Sequence, residues 1–128
     1  MDYKTYNSIA LAFLGDAVYE RFIRERILRS GTVGADKMHR EAVRYVKAAA
    51  QEHALRAMAD SLTEDEADVV RRARNHKITS KPKNADPLTD KWATGFEALV
   101  GYLFLAGEEA RLAWVMNRAA EIIDGEQI

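Results

Sequence analysis

Both prolines of this chain, Pro82 and Pro87, fall in its second half, so nothing before Lys81 carries the ring that breaks a helix. Seven glycines and few β-branched runs complete a composition that favours helix throughout. An all-α fold is therefore expected, with a first helix from about Tyr6 to Leu28, bent near Gly15, and Ser30, Gly31 and Gly34 ending it. A second helix is expected from Ala35 to Asp60. Thr63 followed three residues later by Glu66 has the form of a capping box and opens a third helix through Arg74. Asn75 to Ala85 contains Pro82 and no apolar period, so it reads as a loop. Asp86-Pro87 supplies an N-cap and a first-turn proline for a helix to Leu105, closed by Gly107. A last helix covers about Glu108 to Ile123. The 128 residues suit one domain spanning 1–128.

A chain that is 48% hydrophobic and 30% charged is expected to fold into an ordered globule. Cysteine is absent, which excludes disulfides and thiolate metal sites. No signal-peptide pattern opens the chain and no apolar run reaches the roughly 18 residues of a membrane span, so a cytoplasmic location without a membrane partner is expected. The net charge of −1 argues against a non-specific coat for nucleic acid, but the charge is unevenly placed. From Val69 to Ala85 stand Arg71, Arg72, Arg74, Lys77, Lys81 and Lys83, without one acid. Such a block suits a localised anionic partner, and Asn75 and Asn84 add donors for phosphate or sugar oxygens. A solvated face is the structural alternative.

The run LAFLGDAVYE, residues 11–20, sets two carboxylates into a stretch that otherwise reads as buried helix. Asp16 and Glu20, four residues apart, share a helical face with Ile9, Ala12, Ile23 and Ile27. Carboxylates on such a face need pairing or coordination. Glu97 repeats the problem among Phe96, Ala98, Leu99 and Val100, with Ala93 and Gly101 one turn away on either side to admit another helix. A salt bridge to arginine would answer for one buried acid; two on separate apolar helices, with no thiols, suggest a shared hard cation. Mg²⁺ takes one or two carboxylates and keeps several waters. Asp86 and Asp90 fall on the Glu97 face within about 20°, although Asp86 reads first as an N-cap and Asp90 as a first-turn acid. His39, His53 and His76 share no metal-ligand spacing. Trp92, Trp114, Tyr102 and Phe104 read as core.

FLGDAVYE and FEALVGYLFL, in that order with the basic block between them, resemble the paired signatures of the ribonuclease III catalytic-domain family. RRARNHK, KPKN and GYLFLAGEEARL resemble its short Mini branch, which lacks the double-stranded-RNA-binding domain. The resemblance covers the chain from about Ser8 to the last helix. It implies an all-helical endonuclease domain acting as a homodimer on double-stranded RNA with Mg²⁺. Asp16 and Glu97 then match the signature acids, as catalytic residues and metal ligands. Ala12 and Thr94 stand where larger members carry Glu and Asp, and Glu20 is the compensating candidate, against an ion pair with Arg24. Cleavage leaving 5′-phosphate and 3′-hydroxyl ends follows, with a 23S-type ribosomal RNA precursor as substrate and an accessory ribosomal protein as a further partner. Phe13, Leu14 and Gly15 are the expected dimer interface. A non-catalytic helical RNA-binding module on the same fold is the alternative.

Overall fold

In a computed structural model, residues 2–76 and 86–125 are described, and all the regular structure among them is helical. Six α-helices follow one another: α1 (Ser8–Arg29), α2 (Ala35–Val46), α3 (Ala48–Met58), α4 (Glu64–Asn75), α5 (Pro87–Leu105) and α6 (Glu109–Gly125). Single 3₁₀ turns stand at Tyr3–Thr5 and Ala59–Ser61.

Helix α5 organises the rest. Ala93, Gly95, Phe96, Ala98, Leu99, Val100, Gly101 and Leu103 are all buried, which leaves it little outward face. A helix apolar on nearly every side must be enclosed, and α1, α3, α4 and α6 pack around it. Phe96 meets the Tyr19 ring edge-on, with centroids 4.8 Å apart. The Tyr19 hydroxyl donates to the Tyr45 carbonyl at 3.1 Å, and burial raises the phenol's pKa. On the other side Leu11, Ala12, Val69, Ala73 and Ala98 form a cluster of mostly small side chains, bringing α1 and α4 close to α5.

The helix ends follow local chemistry. Thr63 and Glu66 make the reciprocal capping box. The Asp86 carboxylate accepts from the Leu88 N–H at 3.0 Å, with Pro87 as the first helical residue. Gly107, at φ 72°, ends α5 in the left-handed region that glycine enters without strain.

Two expectations need correction. The helix expected over 35–60 is two helices, divided at Lys47, whose φ of −64° and ψ of 151° are extended. No glycine or proline marks the break. Tertiary packing re-aims the chain there: Tyr45 is buried and its carbonyl serves Tyr19 rather than a fourth-following amide. Phe104, expected in the core, is 49% exposed.

A buried ion pair closes the α4–α6 side. The Glu66 side chain is 3% exposed and accepts from Arg111 at 2.7 and 2.9 Å. Burial pushes this carboxyl's pKa up, but the Arg111 guanidinium and the Thr63 N–H outweigh it and leave it below the usual value. A depressed folded-state pKa stabilises the fold above the unfolded value and loses that contribution as pH falls through the folded one. Thermal denaturation should therefore show a melting temperature that falls with acid in the wild type and less steeply in Glu66→Gln. Arg111→Met, which strands the buried charge, should cost about 3 kcal/mol at neutral pH. A wild-type acid limb in Glu66→Gln would remove Glu66 from the acid response.

Candidate active site

Helices α1 and α5 touch through their main chains. A Cβ built on Gly15 would lie 1.7 Å from the Glu97 carbonyl oxygen, and one on Gly101 would lie 2.0 Å from that of Leu11. No side chain fits at either place. The pairing of Leu11 with Gly101 and Gly15 with Glu97 makes the helices antiparallel. It also brings Asp16, which follows Gly15, to the level of Glu97.

Asp16 is exposed rather than set on a buried face, and Glu97 is half-buried. The premise of a buried Asp16 is thereby corrected. The buried positions of α1 are Ser8, Leu11, Ala12, Gly15, Tyr19, Ile23 and Ile27. From Leu11 onward they follow an i, i+4 ridge, which drifts by about 40° at each step. The ridge turns as α1 passes from α4 and α5 to α2, so Ile23 and Ile27 enter the core while Ile9 and Asp16 face out. Asp16 and Glu20 line one shallow groove along the outward side of α1, with Phe13, Leu14, Arg24 and Leu28. Glu20 lies 3.5 Å from Arg24, the ion pair weighed against a ligand role. Phe13 is 84% exposed and Leu14 half-buried, whereas Gly15 is taken up by α5.

The remaining acids are otherwise engaged. Asp86 caps α5, and its second oxygen lies 3.1 Å from the Thr89 hydroxyl. Asp90 is half-buried in the first turn, and its main-chain carbonyl accepts from the Thr94 hydroxyl at 2.9 Å. Thr94 is thus bonded into its own helix and Ala12 is buried, so neither position supplies a carboxylate. Among the described residues no group of three or more His, Cys, Asp or Glu side chains converges as a metal cage.

The basic block is not uniform. Arg71 donates to Asp68 at 2.7 Å, and Arg72 donates to the carbonyls of Lys4 and Thr5. Arg74 lies on the Trp92 ring and Asn75 is exposed. Lys77, Lys81, Lys83 and Asn84 lie outside the described residues. The Arg74–Trp92 contact gives no periodic signal in the sequence, because the two residues stand eighteen positions apart near the ends of different helices.

The family profile of the Ribonuclease III domain matches residues 9–108. The chain belongs to the ribonuclease III family. It is an endoribonuclease of that family, and its relatives place it in the Mini group. It is 51% identical over 123 residues to the Mini-ribonuclease 3 of Symbiobacterium thermophilum, covering 96% of this chain and 95% of that one. With the Mini-ribonuclease 3 of Brevibacillus brevis it shares 44% identity over 94% of this chain and 90% of the other. A crystal structure of a Fusobacterium nucleatum protein superposes with a TM-score of 0.83 at 29% identity, covering 98% of both chains. The resemblance in FLGDAVYE and FEALVGYLFL therefore identified the family, and the all-α expectation holds for this family member.

Gly15→Ala tests the helix contact beside which the candidate acids stand. Its methyl cannot be accommodated without separating α1 from α5, at a cost of at least about 3 kcal/mol in chemical denaturation. Nuclease activity should fall with both acids intact. A Gly15→Ala protein of wild-type stability would mean that the two helices part freely.

Proposed function

We propose that this endoribonuclease cleaves double-stranded RNA in a Mg²⁺-dependent reaction, leaving 5′-phosphate and 3′-hydroxyl ends, and that it matures a 23S-type ribosomal RNA precursor in the cytoplasm. The chain acts as a single catalytic domain. The observation that supports this reading is the Gly15–Glu97 backbone contact, because Asp16 follows Gly15 in the chain and so stands at the level of Glu97. Two carboxylates in a chain without thiols suit Mg²⁺, which keeps several of its own waters. Asp16 and Glu97 would hold it, and Glu20 is the nearest candidate to assist. When bound, such a cation supplies the charge that polarises a phosphate and acidifies a water. The protein's own part is to fix the two acids against a rigid helix pair and to grip the RNA through cations.

A small domain has little surface with which to hold a duplex, and two copies related by a two-fold axis offer one site per strand. The outward side of α1 suits that contact, because Phe13 is 84% and Leu28 63% exposed beside Leu14. Phe13→Arg should give a monomer in sedimentation velocity at a concentration where wild type is a dimer. A dimer of unchanged affinity would move the interface elsewhere.

The decisive assay is cleavage of a labelled RNA duplex with and without Mg²⁺. Residues one shell behind a metal are worth about 10–100-fold, so Asp16→Asn and Glu97→Gln should each lose at least about a hundredfold. Asp16 is exposed, so Asp16→Asn should melt like wild type. Full activity in Asp16→Asn would sink the assignment, and tight binding without cutting by wild type would favour the non-catalytic module. An accessory ribosomal protein enters only if the precursor is cut faster in its presence.

A further inference from the structure

Among the described arginines of the basic block, Arg71 and Arg72 are held by an acid and by carbonyls, but Arg74 is placed differently. It makes no ion pair within 4 Å among the described residues, its guanidinium carbon lies 3.9 Å from the centroid of the Trp92 ring, and its Nε is buried with no hydrogen-bond partner. The stem lies in the notch at Gly95, where a Cβ would stand 3.1 Å from the Arg74 Cγ. A Cβ at Gly95 would oblige the Arg74 stem to shift by a few tenths of an ångström.

Trp92 is itself held. The guanidinium carbon of Arg56 lies 4.2 Å from the same ring centroid. Two guanidinium groups that close to one centroid must occupy opposite faces. Arg56 carries its own counter-charge, Glu52, at 2.9 Å. Glu52 also accepts from the Thr89 hydroxyl at 2.8 Å, in the first turn of α5. The α3 side of the sandwich is thus neutralised and tied down, while the α4 side is not. An indole face attracts a cation without neutralising it, so Arg74 is oriented while its charge stays available.

We propose that Trp92 is a positioning residue that, backed by the Arg56–Glu52 pair, holds Arg74 as a phosphate-contacting side chain for the RNA duplex. The proposal rests on the double-stranded-RNA reading above and deepens it. Arg74 restricted to one orientation meets a backbone phosphate without first giving up side-chain freedom. Such a contact carries no base information.

Steady-state cleavage of a labelled duplex across a salt series tests it. A lost phosphate contact lowers the slope of log(kcat/KM) against log[salt] by about 0.9. Arg74→Met is therefore expected to show that drop, with KM raised about fivefold to tenfold at 0.1 M salt and kcat within about twofold of wild type. KM should rise from Trp92 through Trp92→Phe to Trp92→Leu, the order of ring attraction. Should Trp92→Leu not fold, the Phe variant carries the comparison. Trp92→Phe combined with Arg74→Met should be no worse than Arg74→Met alone, because the ring acts only through the arginine. A merely structural tryptophan would lower the melting temperature and give additive losses. Unchanged slope and KM in Arg74→Met, an equal effect of Arg71→Met, or additivity in the double variant would overturn the proposal. A wild-type protein that cuts no duplex would overturn the RNA reading itself.

Discussion

The structure depends on one close contact, the main chain of α1 lying against the main chain of α5. Packed helix axes usually stand 8–10 Å apart because side chains intervene. Here a Cβ at Gly15 or Gly101 would overlap a carbonyl oxygen of the other helix. Glycine within a helix costs about 1 kcal/mol relative to alanine, and both positions carry that cost for an approach no other residue allows. The contact also sets the register. With Gly15 on Glu97 and Gly101 on Leu11, the level of Asp16 relative to Glu97 follows from backbone sterics rather than from flexible side chains. A site that needs two acids at a fixed spacing gains rigidity from being built this way.

Around that contact the other helices are fastened by polar groups at their ends. The Tyr45 hydroxyl donates to Asp124, which also takes Arg26, so α1, α2 and α6 meet at one carboxylate. At the opposite side Glu66 caps α4 and pairs with Arg111 of α6, whose guanidinium also lies over Trp114 and reaches the Ser61 carbonyl. Each fastener joins helices distant in sequence, and each satisfies buried or half-buried groups that would be costly alone. The core supplies cohesion, and these links choose how the helices are ordered around α5.

What could be read from the sequence was local chemistry. Thr63-Glu66 and Asp86-Pro87 are complete within a few residues, and the helices open where those signals stand. Gly101 as a point of close approach was legible for the same reason: a small residue one turn from an acid on an apolar helix invites a neighbour. The break at Lys47 was not legible, because no glycine or proline marks it, and the Tyr45 carbonyl beside it is taken by Tyr19, twenty-six residues away. The exposure of Asp16 was missed because a fixed 100° period assumes one flat partner, and α1 changes partners along its length. Likewise the basic block read as a set of equivalent cations, and only packing separates an arginine bonded to Asp68 from one laid on Trp92.

That separation bears on how a chain of net charge −1 can hold a polyanion. Its described cations are mostly paired with acids or carbonyls. Arg74 lies on Trp92 instead, which sets its direction without neutralising its charge. Helix α5 meets α1 at the Glu97 main chain, while Gly95, two residues earlier and about 200° around the helix, receives the stem of Arg74 from α4. Glu97 belongs to α5, whereas Arg74 belongs to α4 and meets α5 through Trp92 and the notch at Gly95. Repulsion keeps a phosphate from two carboxylates unless a cation intervenes, and attraction draws it to an arginine. One enclosed helix that carries Glu97 and the indole against which Arg74 lies sets the geometry of one relative to the other.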